Sequence, residues 1–468
     1  MCDTSSSSNC SITAEVSANG YLSTNINNSS DDYGDIWTQF GTVSSMVVCG
    51  MLLVGMVILF LDYFYSTGEL ELVLDADTIQ GHIQSVRNKR GNLKKISLKA
   101  FGDYTEQELY QLFQEIAAIP RLKAFSADMV LVVNLLTYLL QRAQHLRELT
   151  LMLQQRGSER DIERLADSIQ RHPRLKTVSI ESFPFDSPEW ESTNLDPLLI
   201  SLANLSCLRT LVIDNLKVSA NAFDSLFQSP YIQKMDLSNV PLLIFDRQLQ
   251  CLERNKTLHT LIAPIHDGTS EAWARMVQRN TALLELTLKH EGHPKHHPND
   301  NAFLDETSAD IFLPVIEALG ENTTLHSVSL QAHPNRYDTT SKGGVSLKCL
   351  RTLANAIASN KTLKSISIDR CQEDVDISND VQQDFAHALK YNFNLTKLEI
   401  NITSFRKLVI PEAEFYLKCN RVGRGALLQG EGCYDGTKVA DFLIQNRGDL
   451  DVVFYMLSEM PAAITVAL

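Results

Sequence analysis

The sequence lacks the short motifs on which many enzymes and metal centres depend. It contains no GxxxxGK[ST] phosphate loop, no HExxH zinc helix and no GxSxG nucleophile turn. Its nine cysteines are scattered singly and never form a CxxC pair, which argues against a thiolate zinc site and against a disulfide framework. We therefore predict that the chain is not an enzyme and uses no cofactor.

Positive charge is also in short supply. The 468 residues carry 42 Lys and Arg against 56 Asp and Glu, a formal net charge of -14. A general nucleic-acid binder usually carries a basic excess, so the composition argues against nucleic acid as a partner. Residues 1–86 hold ten acidic side chains and no Lys or Arg, so the rest of the chain is close to balanced. The length corresponds to two to three average domains or to one long repeat array, and the hydrophobic fraction of 44% indicates a folded body.

The N-terminal region combines a polar tail with a long apolar run. Residues 1–41 are acidic and rich in Ser and Asn, which predicts a disordered tail. Residues 42–61 carry no charge, and about 20 such residues are enough for a helix to cross ~30 Å of hydrocarbon. We predict a single transmembrane helix here, the alternative being a helix buried under the following domain. Its apolar residues include Met46, Leu52, Leu53, Ile58 and Leu61.

The distribution of charge and of glycosylation motifs favours one orientation of this span. No Lys or Arg precedes it, and the first basic cluster after it begins at Arg87. The positive-inside bias therefore predicts a single-pass membrane protein with a cytosolic body and a luminal or extracellular tail. Glycosylation sequons at Asn9, Asn27 and Asn28 agree, although an Asn- and Ser-rich tail also produces such motifs by chance.

From residue 92 onward, one pattern recurs eleven times at intervals of about 30 residues. Each copy has a leucine, two variable residues, an apolar residue, one variable residue and another apolar residue, as in LKKISL (93–98) and LKSISI (363–368). Amphipathic stretches such as 347–360 separate the copies. A strand and a helix that alternate in this way bury their apolar faces only by stacking, which predicts a curved parallel sheet inside and helices outside.

This pattern resembles leucine-rich repeats of the ribonuclease-inhibitor-like class. The unit with Leu363, Ile366, Ile368 and Cys371 matches LxxLxLxxC/N, whereas the other units lack the final Cys or Asn. The segment 414–428 is similar to uncharacterised repeat proteins of diatoms. The resemblance implies protein recognition. We predict an α/β leucine-rich-repeat solenoid preceded by a disordered tail and one transmembrane helix, with these divisions: tail 1–41, transmembrane helix 42–61, linker and N-terminal cap 62–91, repeats 92–405 and helical C-terminal cap 406–468.

Two rows of side chains on the predicted sheet are candidate binding residues. The residue after the leading leucine is basic in six copies, which on a stacked sheet gives a row about 4.8 Å apart. This basic row consists of Lys94, Lys123, Arg147, Lys176, Arg209 and Lys364. The middle position of each strand is mostly Ser or Thr and forms a polar row, from which we select Ser179, Asp236, Ser329 and Ser367. We predict that the basic row contacts an acidic protein surface, the alternative being that it only keeps the edge soluble. We predict that the polar row forms a shallow groove for a segment of another protein, the alternative being small strand residues without a ligand.

Two long connections, 289–306 and 331–344, follow neighbouring predicted strands and therefore share one rim. The first contains four histidines that are weak candidates for zinc or copper ligands: His290, His293, His296 and His297. Nearby Gly and Pro residues disfavour a helix and no tetrahedral set is defined, so we predict solvated histidines and no metal.

Together these features predict a membrane-anchored protein–protein interaction module, an adaptor or receptor-like protein. Its protein partner would bind on the concave face and the loop rim. The alternative is a soluble repeat scaffold or a GTPase regulator without a membrane span.

Overall fold

Strands and short helices alternate along the chain. The computed structural model describes residues 69–74, 79–100, 105–131, 133–153, 159–182, 194–216, 218–240, 246–266, 268–291, 310–333, 345–369, 379–401, 408–425 and 436–459. The strands are β1 Glu69–Leu74, β2 Lys95–Ala100, β3 Ala124–Leu131, β4 Glu148–Leu153, β5 Thr177–Ser182, β6 Thr210–Asp214, β7 Lys234–Asn239, β8 Thr260–Ile265, β9 Glu285–Glu291, β10 Ser327–His333, β11 Ser365–Asp369 and β12 Lys397–Asn401. The helices are α1 Ile79–Lys89, α2 Glu106–Ala117, α3 Val133–Arg142, α4 Glu159–Gln170, α5 Asp196–Asn204, α6 Ala220–Gln228, α7 Asp246–Arg254, α8 Ser270–Arg279, α9 Leu313–Leu319, α10 Leu347–Ser359, α11 Asn379–Tyr391, α12 Pro411–Arg421, α13 Gly436–Gln445 and α14 Leu450–Glu459.

The strands form one twelve-stranded parallel sheet in chain order. Neighbouring strands pair so that the same repeat position recurs in a row; Ile96 lies beside Phe125, and Phe125 beside Leu149. The register shifts in two places, after Ala127 in β3 and after Val212 in β6. Each unit therefore packs on the units before and after it, which is the arrangement of a repeat solenoid.

Alternation along each strand decides which side chains are buried. In β2, Ile96 and Leu98 are buried whereas Lys95 is exposed. Helices α1 to α12 present an apolar stripe to the same layer, as Leu350 and Leu353 do in α10. One core cluster therefore runs between the sheet and these helices, and a second, small cluster of Val439, Phe442, Val452 and Met456 with Cys419 packs α13 and α14 against the end of α12.

The unequal widths of strands and helices make the solenoid curve. Neighbouring strands are about 4.8 Å apart, whereas packed helices need about 8–10 Å. Stacked units must therefore bend with the sheet on the inside, so the open face of the sheet is the concave face.

Buried asparagines connect successive units at the turn from helix to strand. The side chain of Asn360 donates to the carbonyls of Leu319 and Asn322, at 2.6 and 2.7 Å, and accepts from the backbone N–H of Thr362 and Leu363. The same arrangement, a donor bond to the preceding unit and acceptor bonds within its own turn, recurs at Asn255, Asn280, Asn322 and Asn392. We call these five residues the asparagine ladder.

Other residue types take the same position nearer the N-terminus. His172 places Nε2 3.1 Å from the carbonyl of Ala143 and accepts from the N–H of Arg174 at Nδ1. The Ser229 hydroxyl donates to the carbonyl of Ala203 at 2.6 Å. The two hydrogen bonds of His172 require its neutral tautomer with the proton on Nε2.

The sheet begins before the first predicted repeat. Strand β1 pairs along its whole length with β2, and Leu70 lies beside Ile96. The leading leucine of this extra unit would fall at position 67, where the sequence has Thr, so the repeat pattern alone missed it. The unit lies in the segment predicted as linker and cap.

The predicted membrane-spanning architecture requires correction. The longest described helices, α10 and α11, have 13 residues each, about 20 Å at 1.5 Å per residue, whereas a span needs ~30 Å. No helix within the ranges given above is long and apolar enough to cross a bilayer. Residues 42–61, with Met46, Leu52, Leu53, Ile58 and Leu61, lie outside the described residues.

The fold is therefore corrected to a repeat α/β solenoid with no membrane span assigned to it. The predicted single-pass location, with a luminal or extracellular tail and a cytosolic repeat domain, depended on that helix and is withdrawn with it. An apolar run of sufficient length satisfies only one of the conditions for a transmembrane helix.

Candidate functional site

The basic row lies where each strand begins, and its backbone groups are linked in series. The N–H of Lys123 donates to the carbonyl of Lys94, that of Arg147 to Lys123, and that of Lys176 to Arg147, each at 2.7 Å. Arg209 continues the series at 2.8 Å. These five residues therefore occupy five consecutive units, and the four steps between them span about 19 Å.

Lys364 belongs to the same row but lies apart from the other basic members. Gln233, His259, Leu284 and His326 occupy the four intervening units, and the Lys364 N–H donates to the carbonyl of His326. The structure thus brings together five of the six predicted basic residues and separates the sixth from them.

Side-chain placement differs within the row. Lys94, Lys123, Arg147 and Lys176 are exposed, and among the described residues none of them forms an ion pair. Arg209 is half-buried, and its guanidinium donates to the carbonyls of Ser206 and Leu208 at 2.9 and 2.7 Å. Four side chains of the row are therefore directed to solvent and one is held against the backbone.

A second set of basic side chains lies beside the row, and the repeat pattern did not reveal it. Arg121, His145 and Arg174 immediately precede the leading leucines of three consecutive units, and all three are exposed. The Arg174 guanidinium donates to His145 Nδ1 at 2.8 Å. The repeated Arg-Leu-Lys at 121–123 and 174–176 is the signal that could have identified this second set.

The position of this edge also explains why basic residues suit it. Helices end and strands begin here, so the negative ends of the helix dipoles face the same edge. Arg90 donates to the carbonyl of Ala118, just after α2, at 2.7 Å. Lys89 and Arg142 lie in the last turns of α1 and α3. The helix ends therefore stabilise positive charge in this part of the molecule.

The polar row runs along the middle of the sheet. Ser179, Ser329 and Ser367 are half-buried at the central strand position, and Ser329 lies directly beside Ser367. The Asp236 carboxylate accepts from the N–H of Ser238 at 3.0 Å, so it is already engaged with its own strand. Val212 occupies the position beside Asp236. The row is continuous in position and mixed in chemistry.

The candidate metal and glycosylation residues lie mostly outside the described part of the chain. His290 is at the end of β9, with its ring centroid 6.5 Å from that of Phe312. His293, His296 and His297 are not among the described residues, and neither are Asn9, Asn27 and Asn28. Within the described ranges, no cluster of three or more His, Cys, Asp or Glu could hold a metal ion.

Burial suppresses ionisation of the cysteines nearest the core. It raises the pKa of the Cys349 thiol to about 11, and it also raises the pKa of Cys207 and of Cys419. The thiolate is the nucleophilic form of cysteine, so these three side chains behave as packing groups.

Comparison with known proteins adds little to the molecule's own geometry. No protein-family model matches the sequence, and no curated protein matches it either. The chain forms a leucine-rich-repeat-like solenoid. Among solved structures, it is similar to a Bacteroides fragilis protein at 12% identity and a TM-score of 0.32, over 72% of this chain and 75% of that one. It is also similar to a chain of the yeast Rad7 and Elc1 complex at 16% identity and a TM-score of 0.36, over 80% and 92%.

Proposed function

We propose that this protein is a non-enzymatic interaction scaffold that binds a partner protein across the open face of its sheet. The observation that carries the proposal is the polar row: Ser179 lies in register with Thr150, and Ser329 lies between Thr287 and Ser367, so small polar side chains stand side by side on neighbouring strands at two places on the sheet. The strand backbone groups already pair within the sheet, so recognition falls to these side chains. No step of the proposal depends on a membrane span.

The size of the surface supports a protein partner. Twelve strands spaced about 4.8 Å apart, each with about five residues rising 3.3 Å, give a face of roughly 900 Å². One side of a standard protein–protein interface buries about 800 Å². The open face alone is therefore large enough for a specific complex.

The finer family assignment is also part of the proposal. A helix follows each strand from β1 to β11, which supports placing the repeats in the ribonuclease-inhibitor-like class. The likeness of 414–428 to diatom repeat proteins is a resemblance in sequence.

Site-specific cross-linking in cells tests the binding face. A photoreactive amino acid would replace Ser179, Ser329 or Ser367 on the sheet, with Glu163 and Arg351 as exposed control positions on α4 and α10. We expect one protein adduct, shared among the sheet positions and weak or missing at the helix positions. Equal adducts from both faces would contradict the proposal.

A further inference from the structure

Basic residues, six of them exposed Lys or Arg, are concentrated in one part of the solenoid. We call the following residues the basic edge: Lys94, Arg121, Lys123, His145, Arg147, Arg174, Lys176 and Arg209. They occupy two adjacent lines across five consecutive units. In the units that follow, the corresponding positions begin with Tyr231 and Gln233 and carry no Lys or Arg until Lys364.

The uneven distribution of these basic residues favours a binding surface over a surface that only keeps the protein soluble. If Lys and Arg only kept the edge of the sheet soluble, they would be spread over all units, because every unit exposes the same edge. Instead seven of the eight Lys and Arg residues at these positions lie in five consecutive units, and only Lys364 lies apart, in a chain whose overall charge is -14.

Two carboxylates on the helices of these units are paired with arginines outside the basic edge. Glu115 pairs with Arg87 at 2.9 Å and Asp167 with Arg171 at 3.7 Å. The ammonium and guanidinium groups of Lys123, Arg147 and Lys176 have no such partner among the described residues.

We propose that the basic edge binds an acidic segment of the partner protein. This inference rests on the proposed scaffold function and gives the chemistry of one part of the contact. The distance from Lys94 to Arg209, about 19 Å, equals about six residues of extended chain at 3.3 Å per residue. A run of about six Asp or Glu residues therefore matches the length of the edge.

The same features disfavour nucleic acid as the occupant. The edge positions include no Phe, Tyr or Trp ring on which a base could stack. The exposed Glu148 side chain interrupts the positive surface one residue from Arg147, where a phosphate backbone would pass. A peptide can avoid that carboxylate by the placement of its own side chains.

A peptide-binding experiment on the full chain tests the inference. The probe is a fluorescent peptide with six consecutive glutamates, and its control is the same peptide with glutamines. We expect Lys123→Glu, Arg147→Glu and Lys176→Glu combined to weaken binding at least tenfold. The matched control, Lys256→Glu, Lys361→Glu and Lys364→Glu, makes the same charge change at exposed positions of the later units and should weaken binding less than twofold.

Salt supplies a second measurement that needs no variant. Raising the ionic strength from 0.1 to 1 M shortens the Debye length from about 10 to 3 Å, so binding should weaken strongly. The combination of Lys123→Gln, Arg147→Gln and Lys176→Gln replaces the charge-reversed variant if that variant fails to fold.

Several outcomes would overturn the inference. They are equal losses in the two charge-reversed variants, no binding of the glutamate peptide, or tighter binding of single-stranded DNA or of anionic phosphatidylserine vesicles. The scaffold function has a separate test, because cross-linking from Ser329 is independent of this peptide. Adducts at Ser329 without peptide binding would refute only the proposal that the basic edge binds an acidic segment. Peptide binding without such adducts would refute the proposal that the partner binds the open face of the sheet.

Discussion

The asparagine ladder makes a specific stability prediction at Asn360. Its amide makes two donor bonds to carbonyls of the preceding unit and accepts two backbone N–H groups, and its side chain is 3% exposed. Asn360→Ala leaves four backbone groups without this partner. A buried polar group left unsatisfied costs about 1–3 kcal/mol. Since relaxation restores part of that loss, we expect a decrease of about 3–5 kcal/mol in the free energy of unfolding.

Urea unfolding followed by far-UV circular dichroism measures this change. The control is Asn355→Ala, an exposed position on the same helix, which should change the free energy by less than about 0.5 kcal/mol. Hydrogen exchange locates the effect, because the amides of Thr362 and Leu363 lose their acceptor and should exchange faster. A loss below about 1 kcal/mol would refute the reasoning that this amide joins two units.

Three further predictions concern single side chains. Burial lowers the pKa of His172 below its usual 6.5, so the unfolded chain takes up a proton at a higher pH than the folded chain does. The free energy of unfolding should therefore decrease as the pH falls below about 6.5. His172→Asn should remove this part of the pH dependence, and an unchanged pH profile of stability in that variant would contradict the prediction. Arg424 is fully buried, donates to the carbonyls of Leu389 and Asn392, and stacks 4.7 Å from the Phe393 ring. Arg424→Ala should therefore cost about 3 kcal/mol or more in urea unfolding, and a neutral result would contradict that role. The Cys349 thiol, with its pKa raised to about 11, should react with iodoacetamide at pH 8 only after unfolding, and rapid labelling of Cys349 in the native protein, located by peptide mass spectrometry, would refute its burial.

The sequence predicted the solenoid because the repeat spacing reports strand positions directly. The leading-leucine pattern predicted that Lys123 and Arg147 lie next to each other, and the Arg147 N–H does donate to the Lys123 carbonyl. It missed β1, since Thr67 stands where the leucine would be. The pattern records residue identity, and a unit paired through its backbone can lack the signature residue.

A residue pattern does not show that different residue types can make the same hydrogen bond. His172 and Ser229 fill the ladder position with different chemistry, and only their bonds to Ala143 and Ala203 reveal the shared role. The concentration of charge around Arg121 likewise emerges only when residues about 25–30 positions apart are laid side by side. A membrane span was predicted from the length and polarity of residues 42–61, and none of the described helices is long and apolar enough to cross a membrane.

The affinity of the cross-linked partner, once purified, tests the central claim most directly. Ser329→Arg and Ser367→Arg together place two bulky side chains on neighbouring strands of the open face, and Glu163→Arg adds a bulky side chain on the opposite side of the solenoid. We predict at least a tenfold loss of affinity for the double variant and little change for the single one. Unchanged binding by the double variant, with the fold intact, would show that the partner does not use the concave face.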